Sequence, residues 1–501
     1  MLDAMFDPLV WLIVLPLTWA TLAFLLGPQR GARLAIAGLT GQLALTLRLA
    51  ADLLDQGGWV HAVGGWGAPL GIDLAVDGLT AIMLLLTQIV ALPIAIYAHT
   101  YFADTHNTHG MHGTNDTNGI STPRRGVPHD YFWPLTGFLL AGMNALYLSA
   151  DLFNLYVSLE LVGLAAVGLV AAGGGAGQLA AALRYLLVSL SASGAYLLGV
   201  ALLYGTYGTV SIATLTPLVE AHAPLAVWLA AGLMLTGLVV KTALFPFHFW
   251  LPPAHGGAPA PVSALLSALV VKASFYLILR LWLGGFAPLT TTTVAQLLGF
   301  LGVAAILWGS CQAIRAQRLK TLLAWSTVAQ LGYLFVVFPL LRDDGLALQA
   351  GVMQVSSHGL AKAAMFAAAG VLIQATGRDS IDGLAGIAGR LPLTLFAFGL
   401  AGMTLMGLPP SGGFIAKWLL VQAALKHAQE GWTVVLIIGG LLAAVYVFRV
   451  LRQAFLLAPE SASFHPVPRR LEWVAFGLAA ASVLLGLRGV ELMRILAEGG
   501  A

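Results

Sequence analysis

Four lysines and a glutamate carry the chemistry that this chain's composition makes hardest to hold. Lys241, Lys272, Lys362 and Lys417 each have long apolar sequence on both sides, and Glu160, within DLFNLYVSLELVGLAAVGLV, lies deep in a further apolar run. A base held at the centre of a bilayer costs at least ~2.5 kcal/mol on insertion scales, and ionisable groups kept at that depth mark ion or proton paths. A lone carboxylate there would take up a proton, so Glu160 needs a partner, and a buried lysine fits. Desolvation favours the neutral form of a lysine, whereas a nearby carboxylate favours the charged form. At about 7 Å and an effective dielectric near 20 that attraction is worth ~2.4 kcal/mol. Movement of the acid, or of its proton, can therefore switch the lysine between holding and releasing a proton, and a row of such lysines could pass protons along the membrane plane. His358, in QVSSHGLAKAAMF, stands four residues before Lys362 and so on the same helical face. A histidine titrates near neutral pH, which suits a relay between Lys272 and Lys417. The competing structural readings are a Glu160 that ties two helices by hydrogen bonds and a His358 that stays neutral inside a bundle.

Such groups have to be positioned by membrane helices. Of the 501 residues, 59% are hydrophobic and 9% charged, where a soluble domain carries roughly a quarter charged residues. A helical span needs about 20 apolar residues, and that length gives fourteen candidates, near 8–26, 33–54, 73–101, 132–149, 151–172, 178–205, 225–250, 258–282, 293–313, 321–341, 347–375, 391–427, 431–457 and 470–489. The longest polar insert runs only from Ala103 to Asp130, so the expectation is one all-α integral membrane domain over residues 1–501. A membrane β-barrel would show alternating ten-residue segments instead. The opening MLDAMFDP has acids and no basic stretch, which reads as a retained first helix rather than a cleaved signal. With both termini on the outer side, thirteen loop lysines and arginines face the cytoplasm and four face outward, as the positive-inside rule asks. The basic excess in those inner loops explains the pI without nucleic acid.

Two of the spans carry helix breakers beside a lysine. In KTALFPFHFWLPPAHGGAPAPVSALLSALVVK, Lys241 to Lys272, Pro246, Pro252 and Pro253 follow Lys241 closely. Proline removes a backbone hydrogen bond and clashes with the preceding turn, so the span entered at Leu225 should break just after Lys241. Unwound backbone at that depth survives only inside protein or beside a water-filled cavity. His248 and His255 flank the break and could carry protons toward the cytoplasm or satisfy freed carbonyls. GMTLMGLPPSGGFIAKWLL repeats the device with Gly407, Pro409, Pro410, Gly412 and Gly413 before Lys417. The breaks fall in spans seven and twelve, an odd five helices apart, so two related five-helix units, about 132–282 and 293–457, would insert in opposite orientations. Paired interrupted helices at matching positions point to a transporter's ion path.

Of the other intramembrane bases, Arg48 and Arg280 lie near enough to span ends to reach headgroups, and Arg184, two turns into its helix, is ambiguous. His106, His109 and His112 recur every third residue, but Gly110 and Gly113 disfavour the helix that metal binding would need, and the segment reads as a solvated loop. AAGGGAGQ lacks the Lys-Ser/Thr of a phosphate loop. Cys311, the single cysteine, gives neither disulfide nor metal motif.

The combination of that Lys241–Lys272 stretch with SLELVGLAAVGLV, AALRYLLVSLSASGAYLLGVALLYG, QRLKTLLAWSTVAQLGY, SSHGLAKAAMF and GLPPSGGFIAK resembles the antiporter-like proton-conducting subunits shared by respiratory complex I, Mrp Na⁺/H⁺ antiporters and membrane-bound hydrogenases, over about residues 70–460. The resemblance implies that Glu160 pairs with Lys241, that Arg184 takes the helix-six basic position, that Lys272 is the central-axis lysine, that His358 and Lys362 are the helix-eleven pair, and that Lys417 ends the axis. It implies proton translocation through two half-channels, with exchange for Na⁺ left open, as one membrane subunit among several in the lipid bilayer of a bacterial or archaeal plasma membrane. Lys417 argues against members that end the axis on glutamate. The shorter members remain: the Mrp D type, the quinone-proximal complex I type, the hydrogenase-associated pump module, and the partner subunit of inorganic-carbon uptake complexes. No flavin, nicotinamide, iron–sulfur or metal motif is present in the sequence, so no cofactor is expected and any oxidoreductase activity would belong to partner subunits.

Overall fold

A computed structural model describes residues 7–110, 128–342, 344–460 and 463–498, with the side chains of 104–110 and 128–129 excepted. Helices α1 (Pro8–Leu26) and α2 (Pro28–Gln56) form a pair, followed by a hairpin of β1 (Trp59–Ala62) and β2 (Asp73–Val76), antiparallel with Trp59 opposite Val76. The strand takes the first residues of the expected third span, which begins instead as α3 at Gly78 and runs to Gly110. His106 and His109 are thus on helical backbone rather than in a loop; their side chains, and His112 altogether, lie outside the described residues. Then come α4 (Pro128–Leu148), α5 (Leu152–Ala171), α6 (Ala176–Tyr207), α7 (Leu225–Lys241), the short α8 (Leu251–Gly257) and α9 (Ala260–Leu283). The second half comprises α10 (Thr292–Arg315), α11 (Leu319–Leu340), α12 (Leu346–Thr376), α13 (Pro392–Met406), α14 (Gly412–Lys426), α15 (Glu430–Phe455), α16 (Arg469–Leu487) and α17 (Gly489–Glu498).

Local chemistry sets the helix starts. Asp7, Asp151, Thr291 and Ser411 accept from backbone N–H groups of the first turns of α1, α5, α10 and α14, satisfying donors that a helix leaves free. Among the described residues, eleven helices are long and apolar enough to cross a membrane. Of the remaining expected spans, the fourth falls on α4, whose Pro134, Thr136 and Asn144 dilute its apolar run, and the seventh and twelfth are each split between two shorter pieces. Helix α9 is buried along its whole length and α11 and α12 nearly so, whereas α1, α2, α15 and α16 each show much of their surface. The buried centre of the bundle is therefore made by α9, α11 and α12, and Lys272 and Lys362 stand on two of those three helices.

Candidate functional site

Helix α7 stops at Lys241. Beyond it the chain unwinds through Thr242–Pro246, with Ala243 at φ +57, into a single turn at Phe247–Trp250 and then α8. The freed groups find partners: Trp250 Nε1 donates to the Val240 carbonyl at 3.1 Å, and Thr242 Oγ1 donates to Leu238 O at 2.7 Å and lies 3.0 Å from Ser274 Oγ. Lys241 Nζ donates to Ser189 Oγ at 2.8 Å, while Ser193, one turn further along α6, donates to Glu160. The acid and the base thus each hold a serine of α6, the two serines one helical turn apart. Gly163, one turn after Glu160, makes room: a Cβ there would lie 2.8 Å from Ser189 Oγ and 3.5 Å from Lys241 Nζ. Beside the break is a cavity of about 790 Å³ lined by Gln178, His248, Pro252, Pro253, Arg318 and Trp325, among others. His248 is buried with Nδ1 unpartnered, and His255, 1% exposed, packs between Trp250 and Phe366 with Nδ1 also unpartnered.

At the centre, α9 contains a π-helical turn at Leu266–Val270, a device that widens the hydrogen-bond ladder and recurs at functional sites. Lys272, fully buried, donates to the Ser267 carbonyl inside that turn. Ser267 Oγ meets Thr327 Oγ1 at 2.8 Å, Thr327 donates to Leu323 O at 3.0 Å, and the same carbonyl accepts from Lys362 Nζ at 2.6 Å. Lys362, also fully buried, donates to Ser326 Oγ at 2.6 Å. The two central lysines thus meet the same polar cluster, Lys272 at the Ser267 carbonyl and Lys362 at the Leu323 carbonyl that Thr327 also donates to.

Helix α13 ends in Gly407 at φ +81, and Lys417 lies in the second turn of α14 with Nζ donating to Leu405 O at 2.6 Å and standing 4.4 Å from the Tyr333 ring centre. Leu405 O also accepts from Gln330 Nε2 at 3.1 Å, and Gln330 Oε1 accepts from Gln354 Nε2 at 3.1 Å. Gln354, His358 and Lys362 share one face of α12 at four-residue spacing. His358, one turn from each of its neighbours on that face, is buried with neither ring nitrogen partnered.

The structure thus gathers these side chains into one set of polar clusters: Glu160 and Lys241 with two serines of α6, Lys272 and Lys362 with Ser267, Thr327 and Leu323 O, and Lys417 with Gln330 and Gln354. Arg184 does not join it; its side chain is exposed on the outer face of α6. Arg280 pairs with Asp77, just before α3. Sequence reasoning missed Ser189, Ser193, Gln330 and Gln354, and counted Lys320 as a loop base, although its ammonium is buried and donates to the Ala258 carbonyl at 2.7 Å. The spacing of Ser189 and Ser193 on a helix with an otherwise apolar inner face is the signal that could have found them.

Buried lysines at broken helices, joined by hydroxyl, amide and carbonyl groups, define an antiporter-like membrane protein. Residues 149–444 match the family described as NADH:quinone oxidoreductase/Mrp antiporter, TM, and the chain belongs to that family. It is 36% identical over 426 residues to NADH-quinone oxidoreductase subunit N of Desulforudis audaxviator (strain MP104C), covering 84% of this chain and 80% of the relative. It is 28% identical to the D-type subunit of the Na(+)/H(+) antiporter of Alkalihalophilus pseudofirmus, over 88% and 86% of the two chains. Among solved structures, a chain of the Mrp complex from Dietzia sp. DQ12-45-1b superposes with a TM-score of 0.86 at 26% identity, covering 98% of this chain and 96% of that one.

Proposed function

We propose that this chain is the proton-translocating subunit of a multisubunit membrane complex of the Mrp or complex I type. Protons would move along Glu160, Lys241, Lys272, Lys362, His358 and Lys417, with His248 and His255 between the break and the cytoplasmic side, and Na⁺ is the candidate counter-ion. The observation that carries the reading is the set of polar clusters at the apolar centre: three buried ammonium groups, each held by a backbone carbonyl, two of them meeting the cluster of Ser267 and Thr327. Burying that many bases is costly unless they do something there. The breaks at Lys241 and before Lys417 support two inverted units, about 132–282 and 293–457, and the loop charge asymmetry supports a prokaryotic plasma membrane with both termini outside. Other membrane subunits of the complex would cover part of the apolar outer surface.

The test is driven proton transport by the assembled complex in vesicles. Glu160→Ala and Lys241→Ala should each abolish it while assembly persists. Normal transport in either variant sinks the relay.

A further inference from the structure

The second break does not stand unaided. Helix α16, which lies beyond residues 149–444 matched to the family, runs beside α13. Two pairs of buried side chains tie the helices together: Thr394 Oγ1 donates to Glu472 Oε2 at 2.8 Å, and Thr404 Oγ1 lies 2.9 Å from Ser482 Oγ. Each pair is 78 residues apart, so the two helices run in the same direction in a single register. Thr394 is near the start of α13 and Thr404 near its end, and the short helix is therefore pinned at both ends. A hydroxyl buried in an apolar bundle is costly to leave unpaired, so each pair holds its helices at one spacing.

The same helix closes over the unwound stretch between α13 and α14. Gly486, one turn after Ser482, faces that stretch so closely that a Cβ on it would run into the Pro410 carbonyl. A Cβ on Gly412, the first residue of α14, would stand 3.3 Å from Ser482 O and 2.9 Å from Ser357 Cβ of α12, and one on Gly413 would meet Thr404 O. The start of α14 is thus wedged among α12, α13 and α16. Leu405, whose carbonyl accepts from Lys417 Nζ at 2.6 Å, follows Thr404 directly in α13. Whatever fixes Thr404 therefore fixes the acceptor, and whatever fixes Gly412 fixes the helix that carries the donor.

We propose that α16 is the post that sets the distance between Lys417 and its acceptor, with Thr404, Ser482 and Gly486 as positioning residues. They act through Leu405 O and the first turn of α14. A stretch interrupted by proline lacks part of the backbone ladder that holds an ordinary helix in shape, so the break needs support from a neighbour, and α16 gives it on two sides. The place of the acceptor matters because a proton-transfer group works at a separation of about 2.6–3.2 Å, and a misplacement of about 1 Å costs on the order of a hundredfold.

The inference rests on the reading that Lys417 belongs to a proton relay, and it is tested by driven transport of the assembled complex in vesicles, measured as a function of pH. Thr404→Val keeps the side-chain shape and loses the hydroxyl, and Ser482→Ala deletes the same contact from the other helix. Each should lower transport about tenfold, a part of what a displacement of about 1 Å costs. The double variant should lose no more than either single one, since all three lack the same contact. Thr404→Ser keeps the hydroxyl and should transport like wild type. Gly486→Ala, which must push the Pro410 carbonyl aside, should cost about a hundredfold; where it fails to assemble, the Thr404 and Ser482 variants decide. The transport left in Thr404→Val should also be lost at a pH about half a unit below that of wild type, because a displaced carbonyl holds an ammonium less well. A merely structural loss would scale the pH curve without moving it. Unimpaired transport in Thr404→Val and Ser482→Ala, losses that add in the double variant, or an unmoved pH curve overturns the proposal. Failure of the underlying reading looks different: driven transport would survive Lys241→Ala in the same vesicles. Failure of the positioning role alone leaves Lys241→Ala inactive.

Discussion

At the break after α7, Lys241 donates to a serine one helical turn from the serine that holds Glu160; at the break before α14, Lys417 donates to a bare carbonyl beneath a tyrosine ring. Both lysines interrupt a helix, yet their surroundings give them different control. A hydroxyl can turn, and the neighbouring serine on α6 holds a carboxylate, so Lys241 has an acid close at hand. Among the described residues no carboxylate pairs with Lys417. Its ammonium is held by a fixed dipole and by the π-face of Tyr333, attractions that favour charge but do not themselves titrate. The first break therefore sets its lysine among side chains that can rearrange, and the second sets its lysine against fixed groups.

The sharpest way to break the contrast is to separate Lys241 from its serine without touching either. Gly163→Val places a branched side chain where a Cβ alone would come within 2.8 Å of Ser189 Oγ. Driven proton transport should fall by about a hundredfold, the effect of removing a positioned proton-transfer partner, with the amount of assembled complex unchanged. Unimpaired transport would mean that the Ser189 link is incidental and that the two lysines are less different than they look.

A smaller effect is expected at the other break. Tyr333→Leu removes the ring face from Lys417, a loss of about 1 kcal/mol for a partly desolvated cation–π contact, whereas Tyr333→Phe keeps the face and should behave like wild type. The measurement is the pH dependence of driven transport. The leucine variant should lose activity at a lower pH than the phenylalanine variant, because a less favoured ammonium gives up its proton sooner. Identical profiles would place control of Lys417 in the Leu405 carbonyl alone.

How much of this was legible beforehand follows the strength of single-residue signals. A lysine or glutamate inside an apolar run is conspicuous, as are prolines in a helix, so Glu160, Lys241, Lys272, Lys362, Lys417 and both breaks could be read directly. Serine and glutamine are tolerated in any bundle, so Gln330 and Gln354 gave no such signal, Ser189 and Ser193 gave only the weaker one of their spacing, and the significance of all four lies in what they touch. Arg280 and Asp77 pair across a long stretch of chain, a relation that no local pattern encodes. The π-turn before Lys272 has no proline or glycine to mark it; LSALV reads as ordinary helix. Arg184 was misleading because helical spacing alone does not say which face looks inward.

The smallest effect concerns the outer end of the second broken helix. Lys426, the last residue of α14, has Nζ 3.0 Å from Asp344 Oδ2, with His427 Nε2 at 3.1 Å from the same oxygen. The Lys426 hydrogen bond, more than any other influence, holds the Asp344 carboxyl below its usual range. A carboxyl lowered on folding stabilises the protein above its unfolded value near ~3.9, and that contribution disappears as pH falls through the folded value. Asp344→Asn should therefore lower the thermal midpoint of the detergent-solubilised complex slightly at pH 7, by the equivalent of about 0.5 kcal/mol for an exposed pair. The difference from wild type should begin to shrink as pH falls toward the unfolded value near ~3.9 and vanish only once pH is below the folded value. The first break has no counterpart to this tether, since Lys241 itself ends α7. A variant whose deficit grew on acidification, or one that altered transport as strongly as Gly163→Val, would show that the outer end of α14 sets the position of Lys417 rather than merely anchoring the helix.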